Sequence, residues 1–345
     1  MPGAPFDLPP AADLLAAATV VSLPMALRFR GVEHREAVLL HGPAGWGEFA
    51  PFPEYGDEES ARWLAAAVEA AWGAWPAAVR DKVAVNATVP AVPPDRVAAV
   101  LARYDGCTTA KVKVAEAGQT LQEDLARVAE VRAVLGPAGR IRVDANGRWT
   151  VDRALEALTA LARHGLEYAE QPCATVAELA TLRRELARRG VDVPVAADES
   201  VRRAEDPLRV AREGAADLLV VKVAPLGGVA RALDVVAACG LPAVVSSALD
   251  SSVGIAAGVA LAAALPALDH ACGLGTVELL TRDVADPALV PAAGHLAVAD
   301  ALAVRAGQGV DPSCSVAGPD RVAWWRDRLR RCHAVLAGDE GFTRP

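Results

Sequence analysis

From residue 82 onward, short apolar runs alternate with longer amphipathic stretches. The runs KVAVNATV (82–89), TAKVKV (109–114), RIRVDAN (140–146), LEYAEQP (166–172), VPVAADES (193–200), DLLVVKV (217–223), PAVVSSAL (242–249) and DHACGLGT (269–276) read as strands. They are short and rich in β-formers, and turn residues bound them. Segments between them, such as LQEDLARVAEVRAVLG and DRALEALTALARHG, repeat apolar residues at helical spacing and end on glycine, a common helix stop. Apolar strands joined by crossover helices predict a parallel sheet. Eight of them at regular spacing predict a closed (β/α) barrel rather than an open Rossmann sheet. No G-x-G-x-x-G opens a helix after the first strand, which also disfavours a dinucleotide site.

Outside this stretch the rhythm changes. ATVVSL and EAVLLHG predict extended segments joined by the turn RFRGVEHR, and GPAGWGEFAPFPEYG predicts a loop. Residues 57–80 predict a helix with Asp57 and Glu58 near its start. Together these make a small α+β unit. Beyond about residue 285 the alternation stops, and the basic helix DRVAWWRDRLRRC is expected to return to that unit. The most apolar run, 251–268, approaches a membrane span in length. Its alanines and glycines, its opening serines and Pro266 predict a buried helix of a soluble protein instead. The first residues lack the basic region of a secretory signal.

Composition narrows the function. Of 345 residues, 53% are hydrophobic and 23% charged, which excludes disorder. The net charge of −8 without a basic block argues against nucleic acid as a partner. Six scattered cysteines without a C-x-x-C pair suit a reduced, cytoplasmic protein and no zinc site. Only four of the 35 basic residues are lysines: Lys82, Lys111, Lys113 and Lys222. Arginine is effectively never deprotonated, whereas a buried lysine shifts its pKa readily. A lysine kept against this bias is a candidate proton carrier, although chance suffices for Lys82.

In a (β/α) barrel, chemistry sits at the C-terminal ends of the strands. Those ends carry Lys111 and Lys113, Asp144 and Asn146, Glu170, Asp198, Lys222, Ser246 and Ser247, and Gly273. Asp144, Glu170, Asp198 and Lys222 follow one another at 26, 28 and 24 residues, one βα repeat each. Three carboxylates on neighbouring strands suit a hard cation, Mg²⁺ or another divalent ion such as Mn²⁺. Lys111 and Lys113 share one face of their strand, opposite the strand of Lys222. That arrangement suits removal of a proton α to a carboxylate, with a lysine as base and the cation stabilising the charge. Crowded cations are expected to lower the lysine pKa values. Taken singly, an Asp at a strand end is commonly a loop cap, K-x-K a solvated edge and paired serines a turn. The ordered set carries the argument.

These motifs, K-V-K at 111–113, D-A-N at 144–146, E-Q-P at 170–172, A-D-E-S at 197–200 and V-K at 221–222, resemble the enolase superfamily and its muconate-lactonizing-enzyme subgroup. Superfamily sites are a standard example of a lysine base beside Mg²⁺, so that assignment comes with the resemblance. The resemblance implies a modified (β/α)7β TIM-like barrel with an α+β capping domain built from the N-terminal region and the C-terminal segment. The expected division is 1–81 for the capping domain, 82–284 for the barrel and 285–345 for the returning segment. It further implies Asp144, Glu170 and Asp198 as Mg²⁺ ligands, Lys113 as acid/base catalyst, and Lys111 and Lys222 as further catalytic lysines. Serines rather than histidine at the seventh strand end disfavour the mandelate-racemase branch.

Within the subgroup, PMALRFRG, GPAGWGEFAPFPEYGDEE, VVSSALDSSVGIAAGVALAAALP and ACGLGT resemble the actinobacterial-type o-succinylbenzoate synthase family. Dipeptide epimerases carry Asp-x-Asp at the eighth strand end, where this chain has Cys-Gly-Leu-Gly. The resemblance implies a metal-dependent dehydration of a small-molecule carboxylate in menaquinone biosynthesis, without an obligatory protein partner or a membrane. Asn146, Ser246, Ser247, Gly273 and Arg28 are the candidate substrate contacts, with Ser251 and Arg30 as further possibilities. An N-acylamino acid racemase or dipeptide epimerase would use the same site, and a metal-free Schiff-base lyase is the alternative of another class.

Overall fold

The computed structural model describes residues 7–29, 31–202 and 206–339. An antiparallel sheet of β1 (Ala18–Phe29), β2 (Val32–Gly42) and β3 (Gly45–Phe49) forms the N-terminal unit, and β3 replaces part of the expected loop because it pairs with β2. Helix α1 (Asp57–Trp72) packs across it. α1 stops short of residue 80 because Gly73 is extended and Pro76 follows. β1 runs on to Phe29, so Arg28 lies on a strand rather than in the turn; its side chain and Arg30 lie outside the described residues.

The predicted strand 82–89 divides in two. β4 (Lys82–Ala84) turns away from the barrel, while β5 (Ala87–Val89) enters it. β5 is followed by β6 (Thr109–Lys113), β7 (Arg140–Asp144), β8 (Leu166–Glu170), β9 (Val195–Ala197), β10 (Leu218–Val221) and β11 (Ala243–Val245) in one parallel sheet, in chain order. β12 (His295–Ala297) pairs antiparallel with β4. The expected eighth barrel strand shrinks to isolated bridges, Val85 with Cys272 and Ser246 with Gly273. The Asn86 amide donates to the Cys272 carbonyl at 2.9 Å and the Gly273 amide to the Val245 carbonyl at 2.8 Å, so this short segment links both edges of the curled sheet.

The crossover helices include α2 (Leu121–Leu135), α3 (Val151–Leu161), α4 (Val176–Arg189), α5 (Glu199–Arg202), α6 (Val229–Cys239) and α7 (Ser252–Ala264). Thr120 with Glu123 and Thr175 with Glu178 form capping boxes that start α2 and α4. Strand alternation buries both faces of the sheet. Val143, Ala169, Ala197, Leu219 and Val221 belong to the large core, whereas Tyr168, Ala196, Leu218, Val220 and Val244 form a separate cluster. Arg142 fills space beside that cluster. It is fully buried, stacks 4.8 Å from the Tyr168 ring and donates to Glu167, Asn86 and the Ala271 carbonyl.

The apolar run 251–268 is largely α7, buried among other elements, and no helix of the described residues is long and apolar enough to cross a membrane. Helix α8 (Pro319–Gly338) packs on α1. From α8, Arg328 donates to the carbonyls of Phe52 and Tyr55 and to Ser60, which pins the loop before α1.

Candidate active site

Strand register puts the chemistry in one row. Lys113 is paired with Asp144 across β6 and β7, and Asp144 with Glu170 across β7 and β8. Asp198 follows β9 and Lys222 follows β10, on the same parity as the inward-facing Ala196 and Val220. All five side chains, and Lys111, are buried.

Each carboxylate meets an ammonium. Lys113 Nζ lies 2.5 Å from Asp144 Oδ2, and Lys222 Nζ lies 2.5 Å from Asp198 Oδ2. Lys111 Nζ donates to Glu170 Oε1 at 2.9 Å and Oε2 at 3.2 Å, and stands 3.4 Å from Asp144. Burial pushes the Lys113 pKa down, against the pull of Asp144, while Lys111 adds to the depression. Lys111 moves the other way: despite burial, Glu170 and Asp144 raise its pKa. Lys113 moves in the expected direction, whereas at Lys111 two carboxylates outweigh burial.

The carboxylates also diverge. Burial, then the charge of Asp144, raises Glu170 to about 7. Burial would raise Asp144 and Asp198 as well, but Lys113 and Lys111 depress Asp144, and Arg202 and Lys222 depress Asp198 to about 2.

Three buried carboxylates on adjacent strands offer the hard oxygen donors a divalent cation requires, and their chemistry fits one. Among the described residues, no three acidic, His or Cys side chains form a closed ligand cluster. Ammonium groups take the carboxylate oxygens instead. Glu199 completes a local set of four carboxylates, with Asp144, Glu170 and Asp198, facing four cations, Lys111, Lys113, Lys222 and Arg202.

The other candidates divide. Asn146 accepts from Lys113 Nζ at 2.8 Å and donates to Glu199 at 3.3 Å, so it orients the lysine. Ser247 Oγ is committed to the Gly273 carbonyl at 2.7 Å and to Thr276 at 2.8 Å. Ser251 caps α7 and bonds Glu48 of β3. These two serines stabilise the short closing segment and the start of α7, and their hydroxyls are already engaged. A Cβ on Gly273 would meet Ser246 Oγ at 2.5 Å, so the glycine makes room for that serine. Ser246 makes no side-chain hydrogen bond among the described residues and faces a small cavity, shared with Glu48, Trp63, Asp250 and Gly254, between the N-terminal unit and the barrel.

Sequence reasoning missed the support around Asp198. Gln171, with φ +39, accepts from the amides of Asp198 and Ser200. Arg202 holds the second oxygen of Asp198 at 3.0 Å, and its place four residues after Asp198 was the available signal.

The family description "Enolase C-terminal domain-like" matches residues 95–315, and "Enolase N-terminal domain-like" matches 20–71. Among solved structures, muconate lactonizing enzyme from Pseudomonas fluorescens superposes with a TM-score of 0.69 at 22% identity, covering 89% of this chain and 97% of that one. The L-Ala-D/L-Glu epimerase from Bacillus subtilis gives 0.68 at 23%, covering 81% and 94%. At these identities the likeness is one of fold. The class is thus an enolase-type (β/α)7β barrel with an N-terminal capping unit.

Two relatives are much nearer in sequence. The o-succinylbenzoate synthase of Mycobacterium marinum is 54% identical over 341 residues, 97% of this chain and 98% of the relative. That of Mycolicibacterium smegmatis is 57% identical over 328 residues, 94% and 97%. The chain belongs to the o-succinylbenzoate synthase family of the enolase superfamily. Enzymes of this family depend on a divalent metal.

Proposed function

We propose that the chain converts 2-succinyl-6-hydroxy-2,4-cyclohexadiene-1-carboxylate to 2-succinylbenzoate and water, a step of menaquinone biosynthesis carried out in the cytoplasm. The observation that carries this reading is the buried row Lys113–Asp144–Glu170 with Asp198 and Lys222 beside it, in a chain more than half identical to o-succinylbenzoate synthases.

Asp144, Glu170 and Asp198 are the residues to hold Mg²⁺, or Mn²⁺ in its place. When bound, the cation supplies positive charge opposite the carboxylate that becomes electron-rich as its α-proton leaves. Four carboxylates and four cations balance without it, so a dication leaves an excess of two positive charges. That excess favours the neutral amine of Lys113, and with that amine neutral the site remains net positive towards an anionic substrate.

Lys113 takes the α-proton. The C–O bond to the ring hydroxyl then breaks, and Lys113 returns the proton to that oxygen on the same face, so that water leaves and the ring becomes aromatic. Asn146 keeps the amine aimed. Lys222, across the barrel, holds negative charge by Coulomb and cation–π attraction. Lys111, held charged by Glu170 and Asp144, supports the substrate carboxylate. Ser246, with Gly273 leaving it room, faces the succinyl tail, and Arg28 of β1 is a second candidate for that charge; Ser247 acts through the backbone at Gly273. In this reading the capping domain is 1–81 joined by 285–345, and the catalytic barrel is 82–284.

The test is product formation from the cyclohexadiene substrate before and after chelation. The reading requires loss of turnover on chelation and recovery with Mg²⁺. Exchange of an α-proton in N-acylated amino acids without dehydration of the cyclohexadiene would replace it by the racemase reading.

A further inference from the structure

Arg202 is a buried arginine that touches two neighbouring carboxylates at the end of β9 and a tyrosine from a distant loop. Its Nε lies 3.0 Å from Asp198 Oδ1, one terminal nitrogen lies 2.6 Å from Glu199 Oε1, and the other lies 3.3 Å from the Tyr55 hydroxyl. The remaining Asp198 oxygen, Oδ2, faces Lys222. Arg202 therefore fixes one oxygen of this carboxylate and leaves the other directed at the site. Asp198 is turned by two groups, since Gln171 also holds its amide.

Tyr55 comes from the loop before α1, outside the barrel. Its ring sits against Phe52 and Trp63 at 5.5 and 6.1 Å between centroids. Its amide donates to the Phe52 carbonyl, and its own carbonyl accepts from Arg328 of α8 at 2.6 Å. A continuous set of contacts thus runs from α8 through the 52–55 loop to Arg202 and ends on Asp198.

We propose that Arg202 is a positioning residue for Asp198, and that Tyr55 sets the orientation of Arg202, so that seating of the 52–55 loop and cation affinity are coupled. The inference rests on the reading of Asp198 as a cation ligand. Outer partners that orient a ligating carboxylate are typically worth ~10- to 100-fold in metal affinity. The planar fork of arginine serves Asp198, Glu199 and Tyr55 together, which a lysine ammonium cannot reproduce.

The test is titration of the chelator-treated full chain with Mn²⁺, without substrate, read as free Mn²⁺ by electron paramagnetic resonance. Arg202→Gln is expected to weaken binding ~10- to 100-fold, and Arg202→Lys to recover part of it. Tyr55→Phe removes the hydroxyl that accepts from Arg202 and should weaken binding by ~2- to 10-fold, with no further effect when added to Arg202→Gln. Wild-type affinity in Arg202→Gln overturns the proposal, and additive losses in the double variant overturn the role of Tyr55. Should Arg202→Gln lose its fold by circular dichroism, wild-type affinity in both Arg202→Lys and Tyr55→Phe is the overturning result. A wild-type chain that binds no Mn²⁺ removes the ligand reading itself, and this inference with it.

Discussion

Replacing Lys113 by arginine keeps a cation beside Asp144 and removes the base. An unperturbed lysine has a pKa of about 10.4, which leaves roughly 4 parts in 10,000 neutral at pH 7. Burial moves Lys113 down from there, and each unit of depression multiplies the neutral fraction tenfold. An arginine, with a pKa above about 12, leaves less than ~1 part in 100,000. The neutral fraction alone therefore falls by a factor of ~40 or more even without the depression. The same amine also returns the proton to the leaving hydroxyl, and a positioned general acid–base group contributes ~10²- to 10⁴-fold. Turnover of Lys113→Arg is expected to fall at least ~10³-fold. The assay is appearance of the aromatic product at saturating substrate, with thermal unfolding and Mn²⁺ titration alongside. Folding and Mn²⁺ binding should persist, because Lys113 is not among the proposed ligands. Lys82→Arg is the control: Lys82 is exposed on β4, outside the barrel sheet, and the change should leave turnover as it was. Turnover of Lys113→Arg within tenfold of wild type would refute the role of this lysine.

Two further predictions concern the seam between the N-terminal unit and the barrel. Glu48 on β3 accepts from the amides of Ser251 and Gly254 at the start of α7, and burial, then the charge of Asp250, raises its pKa to about 8. A raised folded-state pKa stabilises the fold fully below the ordinary value of 4.5 and loses that contribution as pH rises through 8. Glu48→Gln mimics the protonated acid, so its stability relative to wild type should grow between pH 5 and pH 8 by up to a few kcal/mol, on the order of one per pKa unit. A difference in denaturation midpoint that stays constant with pH would contradict this. Glu69 of α1 accepts from the first two amides of α6, Val229 at 2.6 Å and Ala230 at 3.0 Å. Glu69→Ala should cost about 1–3 kcal/mol in urea unfolding, the penalty for uncapped buried donors. An unchanged midpoint would show that water or another group caps the helix.

What the sequence settles on its own is periodic. A period of two puts Lys111 and Lys113 on one strand face, and spacings of 24 to 28 residues put one polar group at each strand end. The starts of α2 and α4 also carry a local signal, a Thr and a Glu three residues apart that form capping boxes in the fold. Tertiary structure decided the rest, because it depends on partners far away in the chain. The split of 82–89 follows from pairing with residues 295–297, and the eighth strand is reduced to the bridges that Val85 and Ser246 allow it. Ser247 and Gly273 are equally compatible with a ligand site by sequence, and their mutual hydrogen bond exists only once β11 and the closing segment meet. The opposite shifts of Lys111 and Lys113, two residues apart on one strand, make the same point: Glu170 and Asp144 outweigh burial at one ammonium and not at the other, and Coulomb energy depends on distances that only the folded register sets.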